Sequence, residues 1–340
     1  MVNVTIDAVS KTARAEYDKK AAKESAERKA QRAEAAKAAK EAAATKGKAK
    51  GKTDTQRFGI LMEIVTCIVL QIPCANSKKV QYQDDESTAE IERLVETYGD
   101  FILVHMAQPT SGMGGKGLQH SKGTHDVHDF SSTSDENPFH VSVKTNTTTR
   151  SAAKICPSII GQSKKNACAE FMKTHPDEFT TEMSDVDLKR FMATKNYLPA
   201  VLTTMLEHTF VDRSSMFYVR ENKKDKKDKK DTYACFLSPR LGADLGEVKW
   251  DMWGHGFEFT HEKKQKNGDD PSDGWNESTT LKVRTGAAGS RAKSLALAEW
   301  QFHKNRNNLK MRWNFANLVD LLRETHLDVH EMIRTASDEA

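Results

Sequence analysis

Two acids and a lysine lie on either side of a polar turn near the middle of the sequence. Asp126 and Asp129 precede the turn, and Ser142 and Lys144 follow it. Apolar and polar residues alternate over residues 139–146, which predicts a strand that carries Ser142 and Lys144 on one face. If a hairpin joins the two segments, Asp126 or Asp129 comes to lie beside that face.

This combination suits metal-dependent hydrolysis of phosphodiesters. The attacked phosphorus is surrounded by negative oxygens, so a divalent cation must offset charge and a base or a lysine must position hydroxide. Carboxylates favour Mg²⁺ as that cation. The pattern therefore indicates a nuclease site with a Mg²⁺ cofactor. A hairpin whose exposed face simply carries polar residues accounts for the same spacing.

A second group of candidate residues lies between Ala298 and Trp313. Arg and Lys pair with guanine edges, Asn and Gln pair with adenine, and cations contact phosphates, so the composition favours DNA reading. The alternative is a structural hairpin with a polar outer face. The expected DNA-binding residues are Gln301, His303, Lys304, Asn305, Arg306, Asn307, Lys310 and Arg312.

Charge is distributed unevenly along the 340 residues, whose net charge is +4. Residues 11–52 contain fourteen Lys or Arg and six Asp or Glu, so they carry 14 − 6 = +8 and the remainder about −4. Ala, Lys, Glu and Arg dominate this stretch without an apolar stripe, which predicts a helical or disordered basic tail over residues 1–55. The tail is either an arm for polyanions or a solubilising extension.

The five cysteines are odd in number and form no CxxC pair, and no signal sequence is apparent. These features argue against disulfides and against a structural zinc site. They predict an intracellular protein, either cytoplasmic or associated with the nucleoid or nucleus. The apolar run Phe58–Ile72 is too short for a bilayer and contains Glu63, so it predicts a buried helix closed by Pro73 and no membrane partner.

The periodicity predicts a mixed α/β domain over residues 56–330, followed by a short tail over 331–340. We expect helices at 90–98, 163–173, 184–192 and 198–208, and a closing helix that opens at 318–322. A buried strand is expected at Phe101–Met106. Strands are expected throughout the C-terminal part, 233–325, at 233–237, 248–253, 257–261, 279–284, 296–302 and 309–315.

Several segments together resemble the type II restriction endonucleases of the PD-(D/E)XK nuclease superfamily. The resemblance covers most of residues 57–325 and excludes the tail. The segments that carry it are Met62–Val65 through Asp126, Val141–Asn146, Lys154–Pro157 with Ile160–Gln162, Ser278–Lys282 and Glu299–Asn307.

The resemblance implies a central mixed sheet flanked by helices and Mg²⁺-dependent, site-specific cleavage of double-stranded DNA. It also implies a companion DNA methyltransferase, and a homodimer would suit a palindromic duplex. Asp126 would be the first metal-binding acid, with Asp129 as its alternative, and Lys144 would orient the attacking water.

The sequence departs from the family pattern at Ser142, where an acid is expected two residues before the lysine. A hydroxyl cannot replace the full charge of a carboxylate on Mg²⁺. The first candidate for a compensating acid is Glu63, and Glu299 is the second.

Two other interpretations remain open. The first is a histidine-metal nuclease of the HNH kind, built from His120, His125 and His128, with His303 and Asn307 as further candidates. A strand would place His125 and His128 on opposite faces, which argues against it. The second is a non-enzymatic DNA-binding or packaging protein, which would bind DNA in a salt-sensitive way without cutting it.

Overall fold

A computed structural model describes residues 54–74, 84–107, 118–121, 128–132, 139–148, 154–157, 163–194, 196–222, 232–250, 255–259, 279–285, 295–303 and 309–334. The chain divides into two compact units between Phe139 and His140. The expected basic tail lies outside the described residues. Within them, no helix combines the length and apolar character needed to cross a membrane.

The first unit contains two long helices, α1 (Asp54–Leu70) and α2 (Asp85–Ile102). Arg57 near the start of α1 is hydrogen-bonded to Glu90 near the start of α2. A Cβ atom at Gly99, near the end of α2, would lie 3.7 Å from Cγ2 of Val69, near the end of α1. The two helices therefore run in the same direction. Both contribute buried apolar residues, among them Leu61, Val65, Leu94 and Tyr98.

The strand expected at Phe101–Met106 is wrong. Helix α2 continues to Ile102, and a π-helix follows at Leu103–Ala107. The apolar residues of α2, from Ile91 to Ile102, keep helical spacing, so the run that ends in Met106 extends an existing apolar stripe. Periodicity cannot separate a buried helix from a buried strand in so short a run.

Two short strands complete the first unit. Strands β1 (Leu118–His120) and β2 (Phe130–Ser132) pair antiparallel, with His120 opposite Phe130. The Ser132 amide donates to the Phe139 carbonyl at 2.7 Å, which places these two residues side by side.

A mixed sheet forms one layer of the second unit. Its strands β3 (His140–Thr148), β5 (Ser215–Asn222), β6 (Thr232–Pro239) and β11 (Leu327–Arg334) are hydrogen-bonded in that order. Strand β3 is parallel to β5, and the other two pairings are antiparallel. Helices α3 (Lys164–Thr174), α4 (Asp185–Ala193) and α5 (Leu198–Thr209) lie in the connection from β3 to β5, as a parallel pair requires.

A second, antiparallel sheet in this unit contains β4 (Lys154–Ile155), β7 (His255–Phe259), β8 (Thr279–Thr285), β9 (Ala296–Phe302) and β10 (Leu309–Asn314). These strands are hydrogen-bonded in the order β4, β10, β9, β8, β7, and helix α6 (Phe315–Leu322) follows β10. One face is buried, and Trp300, Met311 and Trp313 are at most 1% exposed. The Trp313 indole donates to Thr209 Oγ1 of α5 at 2.8 Å, so the sheet packs on that helix.

The predicted mixed α/β class, with a mixed sheet flanked by helices, is confirmed. The helices expected around residues 163–173, 184–192 and 198–208 are confirmed, as are the strands around 139–146, 279–284, 296–302 and 309–315. Strands β5 and β11 were not predicted, and β11 extends to Arg334, inside the region expected to be a tail. Residues 248–250 of the strand expected at 248–253 form no strand, and 251–253 lie outside the described residues.

Candidate functional site

Lys144 lies on β3 as the alternation predicts. Val141 and Val143, on the other face, are 0% and 8% exposed, while Lys144 is half-buried. In the sheet Lys144 is the register partner of Tyr218 on β5. Ser142, on the same face as Lys144, is 2% exposed, so the position where the family pattern has an acid is a buried hydroxyl.

Of the two acids expected in the hairpin, Asp129 is among the described residues and Asp126 is not. Asp126 lies outside the described residues, as do His125 and residues 304–308, which include four of the expected DNA-binding residues. Asp129 immediately precedes β2, and its carbonyl accepts from the Ser121 amide at 2.9 Å. The roles of Asp126 and Asp129 therefore stay predictions.

The second sheet presents its polar side chains on one face, which we call the polar face. Lys310 and Arg312 on β10 are opposite Gln301 and Glu299 on β9, and Lys282 on β8 is also opposite Glu299. Residues between them on each strand point to the buried face, because side chains alternate along a strand. The two predicted DNA-binding cations of β10 thus share one face with Gln301.

Glu299 is a buried carboxylate on this face, with a residue exposure of 4%. Its Oε1 accepts from Gln301 Nε2 at 3.2 Å and lies 3.7 Å from Nη1 of Arg312. Buried carboxylates are rare unless they are paired or bound to a cation. Glu299, the second candidate for the acid that compensates for Ser142, is therefore paired with Arg312, one of the expected DNA-binding residues.

Cys156 connects the polar face to Lys144. This thiol directly follows β4, and Ile155 before it is the register partner of Trp313 on β10. Burial raises the pKa of Cys156, and the nearby Arg312, Lys310 and Lys144 oppose that shift because each cation favours the thiolate. Among these three cations, Arg312 has the largest effect on the pKa of the thiol.

These four residues, Lys144, Cys156, Lys310 and Arg312, form what we call the basic cluster. Three of its members were predicted, but as parts of two separate sites: Lys144 as catalytic, and Lys310 and Arg312 as DNA-binding. The structure brings them into one electrostatic neighbourhood around a thiol that the sequence had not singled out. The only sequence signal for Cys156 was its place in the Lys154–Pro157 segment of the resemblance.

Glu63, the first-choice compensating acid, lies in the first unit. Its Oε2 is 3.1 Å from Nε2 of His120, whose side chain is 1% exposed. Glu63 and Cys67 are four residues apart on α1 and so share a face of that helix. Among the described residues, Cys67, Cys74 and His120 bring one ligand atom each to within 4.8 Å of the others.

Comparison with known proteins identifies no relative: no family model, no curated protein and no solved structure matches this chain.

Proposed function

We propose that the protein is a Mg²⁺-dependent, site-specific endonuclease of double-stranded DNA, of the type II restriction kind. The observation that carries this proposal is the basic cluster, in which the expected catalytic Lys144 shares a neighbourhood with Lys310 and Arg312. A catalytic group and DNA-contacting cations must act on the same stretch of backbone, so their proximity favours one DNA site.

The cluster suits phosphate binding. Phosphate contacts supply most of the sequence-independent affinity for DNA and fix the register of the protein on the duplex. The Arg312 guanidinium can present two parallel N–H groups to a phosphate or to a guanine edge. Gln301, opposite Lys310 in the sheet, adds an amide of the kind that reads adenine.

The donor groups fit Mg²⁺ in part. Asp126 and a second acid would hold the ion, which when bound would offset the negative charge of the attacked phosphate. Ser142 is a buried hydroxyl and supplies no carboxylate, so the second acid must come from elsewhere. Glu299 is linked to the basic cluster through Arg312, whereas Glu63 contacts His120.

Lys144 is the residue of this chain that acts on the reacting water. Its half-buried ammonium would orient the attacking water toward the phosphorus and stabilise developing negative charge. Lys310 and Arg312 would hold neighbouring phosphates. A homodimer and a companion methyltransferase belong to the same proposal, because a two-fold protein suits a palindromic site and the host genome needs protection.

The test is incubation of the purified chain with unmethylated phage DNA in Mg²⁺ or in EDTA. We expect discrete fragments that require Mg²⁺ and are absent with Lys144→Ala. Lys173→Ala is the matched control, because Lys173 is an exposed lysine on α3 whose described partner is Glu170. DNA that stays intact but is shifted on a gel would overturn the nuclease proposal and favour the packaging protein.

A further inference from the structure

Two cysteines and a histidine lie together in the first unit. Mg²⁺-dependent cleavage does not require this group of residues. Each of Cys67, Cys74 and His120 offers one ligand atom, and these three atoms lie within 4.8 Å of one another. Ligands of a tetrahedral zinc ion, at about 2.0–2.3 Å from the metal, are separated by about 3.3–3.8 Å. Small side-chain movements would therefore suffice to surround one ion.

The end of α1 explains why the two cysteines meet. The Ile72 amide donates to the Cys67 carbonyl at 3.0 Å, and the Gln71 amide donates to the Ile68 carbonyl at 3.1 Å. This pair of bonds is the Schellman pattern, which reverses the chain at a helix end. Gln71 has φ +55°, the left-handed conformation that the pattern requires. The chain therefore turns back after Leu70 and brings Cys74 beside the last turn of the helix.

His120 enters the cluster from strand β1. Its register partner on β2 is Phe130, and the two ring centroids are 5.1 Å apart, so the imidazole is fixed by packing. Its side chain is 1% exposed. The carboxylate of Glu63 lies 3.1 Å from Nε2 of His120, which places an acid next to the three ligand atoms.

We propose that the Cys67–Cys74–His120 cluster binds a single zinc-class divalent cation with a structural role. Thiolates with an imidazole select zinc over Mg²⁺, which prefers oxygen ligands, so this ion is distinct from the one proposed for catalysis. Glu63 is either the fourth ligand or the acceptor that orients His120. Carboxylates occur in proteins both as zinc ligands and as acceptors that orient a ligating histidine.

The surroundings of the thiols agree with this assignment. A zinc-class ion displaces the protons of the two thiols, because only thiolates are its ligands. Cys74 is exposed while Cys67 and His120 are buried, which gives an ion a path from solvent to the buried ligands.

The bound ion would tie the end of α1 to β1 within the first unit. The ligands come from the helix, from the turn after it and from a strand separated from both by α2. A metal that joins distant segments stabilises the folded chain, since a preformed site rarely exists in the unfolded one. The inference is independent of the nuclease proposal, and its test reads metal content instead of cleavage.

The experiment is metal analysis of the full chain, without a histidine tag, after reduction, EDTA treatment and titration with Zn²⁺ or Co²⁺. We expect one ion per chain. We also expect the intense thiolate-to-cobalt absorption and visible bands of tetrahedral Co²⁺. Cys74→Ser, at an exposed position, should weaken Co²⁺ affinity by at least about 100-fold, and His120→Asn should do the same. Cys168→Ala, which removes a buried cysteine of α3, should bind as tightly as the unaltered chain.

Three results would overturn the proposal. The reduced chain could take up no Co²⁺, it could bind Co²⁺ without thiolate absorption, or Cys74→Ser could bind it as tightly as Cys168→Ala. A protein that is isolated with a Cys67–Cys74 disulfide and takes up no metal after reduction would be an example of the first result. Glu63→Gln tests the neighbouring acid: a loss of about 10–100-fold in Co²⁺ affinity is expected, and an unchanged affinity would remove Glu63 from the site.

Discussion

Nη1 of Arg312 lies 3.7 Å from Oε1 of Glu299, whose side chain is 5% exposed. The pair bridges β10 and β9 directly across the register, and Gln301 donates to the same carboxylate oxygen. A cation expected to contact DNA is therefore held by a buried acid of the neighbouring strand. This contact sets the position of the guanidinium before any phosphate is bound.

Glu299→Gln should lower the free energy of unfolding by about 1–3 kcal/mol, because the buried Arg312 contact loses its counter-charge. Urea denaturation measures this directly. Arg312→Met and the double variant complete a mutant cycle, in which the combined loss should be smaller than the sum of the single losses. Equal stabilities would contradict a paired Glu299. Loss of cleavage without loss of stability would instead identify Glu299 as the acid that compensates for Ser142.

Lys310→Ala should reduce the salt dependence of DNA binding. Each phosphate contact contributes about 0.9 to the slope of log affinity against log salt concentration, so the slope should fall by about one. Fluorescence anisotropy with a labelled duplex at several salt concentrations gives the slope. Arg190→Ala, on an exposed face of α4 where the ion pair with Asp187 contributes little, should leave it unchanged. Equal slopes for both variants would place DNA elsewhere.

Cys156 should report DNA binding through its reactivity. Burial raises the pKa of this thiol, and only the thiolate is alkylated, so its rate should still be rising with pH above the ordinary thiol range. Saturating duplex DNA should slow Cys156 alkylation at least about tenfold, because the cations around it would be covered. Peptide mass spectrometry of partly alkylated protein follows each cysteine separately. If DNA slows the alkylation of Cys74 in the metal-free chain by the same factor, the protection is not specific to the basic cluster.

The protein should lose stability in alkaline solution through Cys235. Burial raises the pKa of Cys235 to about 12 from an ordinary value of 9.0. The folded state then holds the proton more tightly, so this contribution is complete below pH 9 and is lost as pH rises from 9 toward 12. The expected slope is about 1.4 kcal/mol per pH unit for this single group. Cys235→Ala should unfold with a shallower pH dependence over that range, and an identical profile would contradict a buried neutral thiol.

Local sequence patterns were sufficient to predict many of the helices and strands. Strand β3 was predictable because Val141 and Val143 alternate with Ser142 and Lys144, and α5 because its apolar residues keep helical spacing. Strand β5 was missed since Met216 to Val219 are buried on both faces and show no alternation. The strand expected at Phe101–Met106 failed for the related reason that a continuous apolar run carries no period.

The residues of each candidate site are far apart in the sequence, so local patterns could not show that they lie together. The placement of Lys144, Lys310 and Arg312 near Cys156 follows from the order of strands in two sheets, which single-sequence patterns do not encode. The Cys67–Cys74–His120 cluster was not predicted, because its two cysteines lack the CxxC spacing that is the usual sequence signal for a cysteine metal site. Pro73 lies shortly after the apolar helical run and between the two cysteines, which is a local signal for the end of a helix and could have pointed to Cys67 and Cys74. His120 had no such signal.

The parallel pairing of β3 with β5 has a consequence for the synthesis of the protein on the ribosome. Lys144 is opposite Tyr218, so the two partners are 218 − 144 = 74 residues apart. Such non-local pairings form late, because the loop must close before the contacts that offset its entropy exist. Lys310 and Arg312 leave the ribosome later still. A nascent chain that has passed Lys144 therefore holds an incomplete site, and the proposed cutting activity would arise only after Arg312 has been synthesised.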